Sequence, residues 1–156
     1  MPSPAPPAAQ LAGFIAKFSP ALAKDARAAL ARVRALMPAS SVQMVYDNWN
    51  GLVIGFGPNE RPSDAIVSLL VAPDHLTLCF INDGPSLPDP ERLLKGSGNV
   101  VRHVRLASPR DLDGAPIKAL VKAAIAQSDV PFARGGRSRL IIKSISPKQR
   151  PRRKTL

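Results

Sequence analysis

Between Val42 and Leu106 the chain breaks into short apolar segments separated by turn residues, and no helical periodicity intervenes between them. That order is the strongest constraint on the fold, because parallel neighbours need a crossover of a dozen or more residues whereas antiparallel neighbours need only a tight turn. Val42 to Asp47 alternates, Asn50-Gly51 is a hairpin turn signal, and Leu52 to Phe56 continues as a second strand. Gly57 to Pro62 is a loop. Ala65 to Val71 and Leu76 to Ile81 read as third and fourth strands, joined through Pro73-Asp74-His75. Val100 to Leu106 reads as a fifth, with Val100, Arg102, Val104 and Leu106 on one face and Val101, His103 and Arg105 on the other. The one long connection, Asn82 to Asn99, holds too many prolines and glycines for regular structure beyond a helical turn at Glu91 to Lys95.

Helical spacing is confined to the two flanks. Leu11, Phe14, Ile15 and Phe18 make one stripe; Ser19-Pro20 reads as an N-cap followed by proline at the first helical position, and Leu22, Ala26, Ala29, Leu30, Val33, Leu36 and Met37 make the next, ending at Pro38. Ser108-Pro109 repeats the cap signal ahead of Ile117, Leu120, Val121, Ala124 and Ile125. Leu140 to Ile145 is apolar enough for a late strand or a packed arm. Strands in the middle and helices outside them describe an α+β domain, a mainly antiparallel sheet of about five strands packed against N- and C-terminal helices.

Charge divides the chain. Of 22 lysines and arginines, nine lie after Asp129, where there is no acid; the preceding 129 residues hold 13 bases and 11 acids. The net charge of +11 is therefore mostly a property of the C-terminal stretch. The first ten residues are proline-rich and read as a disordered leader, residues 11–145 as a single domain, and residues 146–156 as a basic tail. No secretory signal and no run of about 20 apolar residues is present, and one cysteine forms no internal disulfide, so a cytoplasmic location is expected.

The run Asp89-Pro90, then Leu93-Leu94-Lys95-Gly96-Ser97-Gly98, then Val101-Arg102-His103-Val104-Arg105-Leu106 and Asp111-Leu112-Asp113 resembles the YdhG-like family, small bacterial α+β domains of unknown function. Phe80, Gly84 and Leu87 to Pro90 fit the same pattern, and the resemblance extends from about Val42 to Ile125. One branch of the family is described as frataxin-like, acting in iron delivery, so the resemblance implies an intracellular iron chaperone as an alternative function. Iron favours oxygen ligands. The acidic residues here are scattered and the tail is basic, so no metal ligand and no cofactor is assigned.

Two clusters are candidate sites. The glycine turn Lys95, Gly96, Gly98 beside Arg102, His103 and Arg105 is suited to an anion, its backbone N–H groups forming a nest and its arginines binding bidentately. Against this, the glycines serve a tight turn and the arginines pair with Asp89, Glu91, Asp111 or Asp113. The tail residues Lys148, Arg150, Arg152, Arg153 and Lys154 are suited to weak, nonspecific contact with nucleic acid, with few aromatics for single-strand recognition by stacking, or to a solvated or partly packed arm. Cys79 reads as buried and inert, and a Cys79–His103 pair lacks an orienting acid. Tyr46 and Trp49 line a pocket or cap the sheet edge. The residues thus point to a non-enzymatic ligand-binding or interaction module with an unidentified ligand or protein partner, no membrane contact, and no catalytic constellation.

Overall fold

The computed structural model describes residues 4–154. Two helices, α1 (Pro7–Ala16) and α2 (Pro20–Leu36), precede five strands, β1 (Val42–Asp47), β2 (Leu52–Gly57), β3 (Val67–Ala72), β4 (His75–Phe80) and β5 (Arg102–Leu106). Helix α3 (Ala115–Ala126) and strand β6 (Arg139–Ile145) follow. The strands form one sheet in the order β5-β4-β3-β2-β1-β6. β1 to β5 are a simple antiparallel meander, as their tight turns require. β6 adds a sixth strand beside β1 and runs parallel to it. This is the parallel exception: β5 and β6 stand at opposite edges, and the chain between them carries α3, the long crossover that a parallel arrangement demands.

Directly opposed residues Ile142, Val45, Ile54, Leu69, Leu78 and Val104 make a row across all six strands. With the neighbouring rows it meets Phe14, Phe18, Leu30, Val33, Leu112, Leu120 and Val121 in one core, so the apolar stripes of all three helices cover the same face. Each such side chain withdrawn from water contributes about 1.5–3 kcal/mol. Ala23, Ala26 and Ala29 are buried on α2. The opposite face carries the row Ile141, Met44, Gly55, Ser68, Cys79 and His103, and only a small cluster of Val42, Met44 and Ala65 packs there.

Several boundaries differ from the sequence expectation for local reasons. α1 begins at Pro7, inside the stretch read as a disordered leader, because proline is tolerated at the first helical position and Leu11, Phe14 and Ile15 anchor the helix in the core; Met1 to Ser3 lie outside the described residues. Ser19 caps α2 as expected, its Oγ accepting from the Leu22 N–H at 3.3 Å. Ser108 and Asp111 do form a capping box, but it opens a short 3-10 segment, Pro109–Asp113. α3 starts afresh after Gly114 because Pro116 cannot extend a preceding helix. Glu91 to Lys95 is not a helical turn: the Asp89 carboxylate accepts from the Leu93 and Leu94 N–H groups, both at 2.9 Å, and holds the segment open. Val100 and Val101 lie outside β5, in an exposed loop.

Candidate functional site

The glycine turn is closed by a two-bond bridge, Lys95 N–H to His103 O at 2.8 Å and His103 N–H to Lys95 O at 3.0 Å. Gly96 sits at φ +119°, a conformation that favours glycine. The Arg102 guanidinium turns into this loop and donates through Nη1 to the carbonyls of Gly98 and of Val101, the latter at 3.0 Å. Carbonyl oxygens converge on a cation here, where an anion nest needs N–H groups converging on a ligand. Gly84 supports the loop from beneath: its N–H donates to Val100 O at 2.7 Å, and a Cβ there would stand 2.8 Å from the Arg102 nitrogen. Three of the four suggested carboxylate partners are occupied elsewhere, Asp89 as described, Asp111 as a cap, and Asp113 with Arg32 at 3.2 Å, and Glu91 makes no ion pair among the described residues. Lys95, Gly96, Gly98, Arg102 and His103 therefore stay together as a structural loop. Arg105 parts from them, because it pairs with Thr77 toward the other end of β5.

The C-terminal stretch is built into the domain. After β6 the chain crosses the end of the sheet, with Ser146 N–H donating to Asp47 O at 2.8 Å and Gln149 Nε2 to the same carbonyl at 3.0 Å. Arg152 is its anchor: Nη2 donates to Asp47 Oδ1 at 2.9 Å and to Asn48 O, and Nη1 to Trp49 O at 3.2 Å. Arg152 also lies 5.7 Å from the centre of the Phe18 ring. Lys17 Nζ reaches the second Asp47 oxygen at 2.7 Å. Burial pushes the Asp47 carboxyl up, but Lys17 and Arg152, with Gln149 beside them, outweigh it and hold the group below its usual range. Arg150 donates to Asn50 O at 2.8 Å, and Arg153 to Lys17 O, past the C-terminal end of α1, at 3.2 Å. Lys154 stands 3.7 Å from Asp74. Of the five tail cations, only Lys148 makes no side-chain hydrogen bond or ion pair to the described residues. Of the solvated and the packed arm offered by the sequence, the structure has the packed one, because a carboxylate on the inward register of β1 needs a cation and Arg152 supplies it.

This crossing forms one wall of an open groove. A cavity of about 510 Å³ lies between the first turn of α2 (Ser19 to Leu22), the β3–β4 turn (Pro73, Asp74) and Arg153-Lys154. A second, of about 250 Å³, shares Leu22, Asp25 and Asp74 with it and continues to His75, Arg105 and Ser108. His75 Nδ1 lies 2.7 Å from Asp74 Oδ1, and this bond, with Lys154 and Arg105 nearby, holds the Asp74 carboxyl below its usual range. The structure thus brings together one residue of the first sequence cluster, Arg105, and two of the second, Arg153 and Lys154, around a pair of carboxylates. Sequence reasoning missed both Asp47 and the groove. The signal for Asp47 was its place two residues after Val45, on the core-facing side of β1.

Cys79 and His103 are direct neighbours across β4 and β5. Burial pushes the Cys79 thiol up, with Ser68 opposing weakly, so the thiolate that nucleophilic chemistry needs is disfavoured. Tyr46 donates to Met44 Sδ at 3.9 Å on the open sheet face, whereas Trp49 stands at the hairpin tip. Among the described residues no three of histidine, cysteine, aspartate and glutamate are grouped to hold a metal ion, and no helix is long and apolar enough to cross a membrane. Comparison with family models, with curated proteins and with solved structures finds no match.

Proposed function

We propose that this chain is a cytosolic YdhG-like domain that works as a non-enzymatic binding module for an anionic ligand carrying hydrogen-bond donors of its own. The observation that carries the reading is the pair of adjoining cavities that share Leu22, Asp25 and Asp74, one lined by Arg153 and Lys154 and the other by Arg105. Cations on the rim hold phosphate or carboxylate groups. The two carboxylates accept from hydroxyl or amino groups, so a ligand bearing both kinds of group matches the groove better than a simple anion. The YdhG-like assignment rests on the residue pattern of Leu87 to Pro90, the glycine turn and Arg102 to Arg105, segments that contact one another through Asp89, Gly84 and the Lys95–His103 bridge.

Calorimetric titration with pyrophosphate tests the reading. Saturable binding that weakens several-fold in Arg105→Ala and in Lys154→Ala, with melting temperature unchanged, is the expected result; equal heats in the wild type and both variants would remove the groove as the site.

A further inference from the structure

We propose that the end of the sheet crossed by the C-terminal segment binds single-stranded nucleic acid, with one base stacked on Trp49 and the adjoining phosphates led along Lys148 and Arg150 toward the groove. The proposal rests on the groove reading above and names its ligand. Trp49, the only tryptophan, is 52% exposed, and Ile145, opposite Asp47 at the end of β6, is 51% exposed. The turn that presents the indole is held unusually firmly. Asn48 N–H donates to Gly51 O at 3.0 Å, and the carbonyls of Asn48, Trp49 and Asn50 all accept from Arg152 or Arg150. An aromatic fixed in place and half open to solvent loses little entropy when a flat partner covers it.

The surroundings select among flat partners. The exposed Asn50 amide of the turn supplies a donor and an acceptor for base edges. Lys148 is exposed and unengaged beside it, and residues 150–154 run on to Arg153 and Lys154 at the groove. This combination of a stacking surface and a cationic track is what sequence-tolerant single-strand binding uses. An anionic membrane is a poorer fit, because Asp25 and Asp74 would face its charge, whereas a sugar hydroxyl or a base N–H offers them hydrogens. Oligouridylate and oligothymidylate distinguish the two sources of such a strand.

The lone tryptophan makes the test direct. Either oligomer, about twelve nucleotides long, should quench the fluorescence of the full-length protein. With about three phosphates engaged, raising salt from about 50 to 200 mM should weaken binding roughly twenty-fold. By anisotropy of a labelled oligomer, Trp49→Ala should lose roughly ten-fold in affinity and Trp49→Phe much less. Lys148→Glu, at an exposed position, repeats the test where folding is not at issue. Absence of quenching by both oligomers overturns the proposal, and a blue shift with phosphatidylserine vesicles in its place assigns the patch to membranes. Should pyrophosphate still bind in that case, the groove reading stands alone. Unchanged oligomer affinity in Trp49→Ala combined with loss in Arg105→Ala likewise removes the stacking and keeps the groove.

Discussion

Asp47 and Arg152 lie 105 residues apart in the chain and form an ion pair of 2.9 Å in which the carboxylate side chain is 0% and the guanidinium side chain 4% exposed. Around it gather Lys17 from the end of α1, the carbonyls of the β1–β2 turn and the ring of Phe18. The pair joins the first helix, the first hairpin and the last described segment, so residues 146–154 belong to the folded unit.

Removing Arg152 leaves the buried Asp47 carboxylate with Lys17 alone as its cation, which costs about 3 kcal/mol, the low end for breaking a buried pair. Arg152→Ala is therefore expected to lower stability by that amount in urea denaturation, and deletion from Ser146 onward by at least as much. A truncated protein as stable as the full chain would contradict the role given to Arg152.

The same pair sets an acid limit. The folded Asp47 carboxyl is held below the ordinary unfolded value of about 3.9, so its contribution is fully present above that value and is lost as pH falls through the lower, folded value. Melting temperature should stay level from neutral pH to about 5 and fall below about 4, and the part of that fall due to Asp47 should vanish in Asp47→Asn. Thermal melts of both proteins across this range check the sign.

Arg102 is expected to matter for the loop and not for ligand. Arg102→Ala removes the donor shared by the Gly98 and Val101 carbonyls, and Gly84→Ala drives a methyl against the Arg102 backbone. Both should speed amide hydrogen exchange between residues 96 and 102. Arg102→Ala should leave pyrophosphate affinity unchanged, and a loss of that affinity would restore the glycine turn as a binding site.

Cys79 should react slowly. With its thiol pushed up by burial, alkylation by iodoacetamide at neutral pH should be far slower in the native protein than in urea. A native rate equal to the denatured one would show a fully accessible thiol of ordinary reactivity and contradict this expectation.

How much of this was legible in the residues depends on the range of the forces involved. Alternation and the Asn50-Gly51 signal were enough to give the β1–β2 hairpin, because register in a short turn is a local matter. The Ser19 cap and the three apolar stripes were legible for the same reason. The second cap signal at Ser108 misled only about length: the sequence shows where a helical segment opens, and Pro116 decided that it closes after one turn and restarts. For the site, Arg105, Arg153 and Lys154 were each singled out, but in two unrelated clusters.

What the sequence by itself determined is the antiparallel meander, the helices outside it and the concentration of charge in the last 27 residues. Tertiary structure alone decided that Leu140 to Ile145 lies parallel to β1, that Arg152 is buried on Asp47, and that Arg105 lines one and Arg153 and Lys154 the other of two cavities sharing Asp74. The reason is physical: turns and caps are set by neighbours a few residues apart, whereas the desolvation of a buried carboxylate is relieved by whichever cation the finished fold delivers, from any distance along the chain.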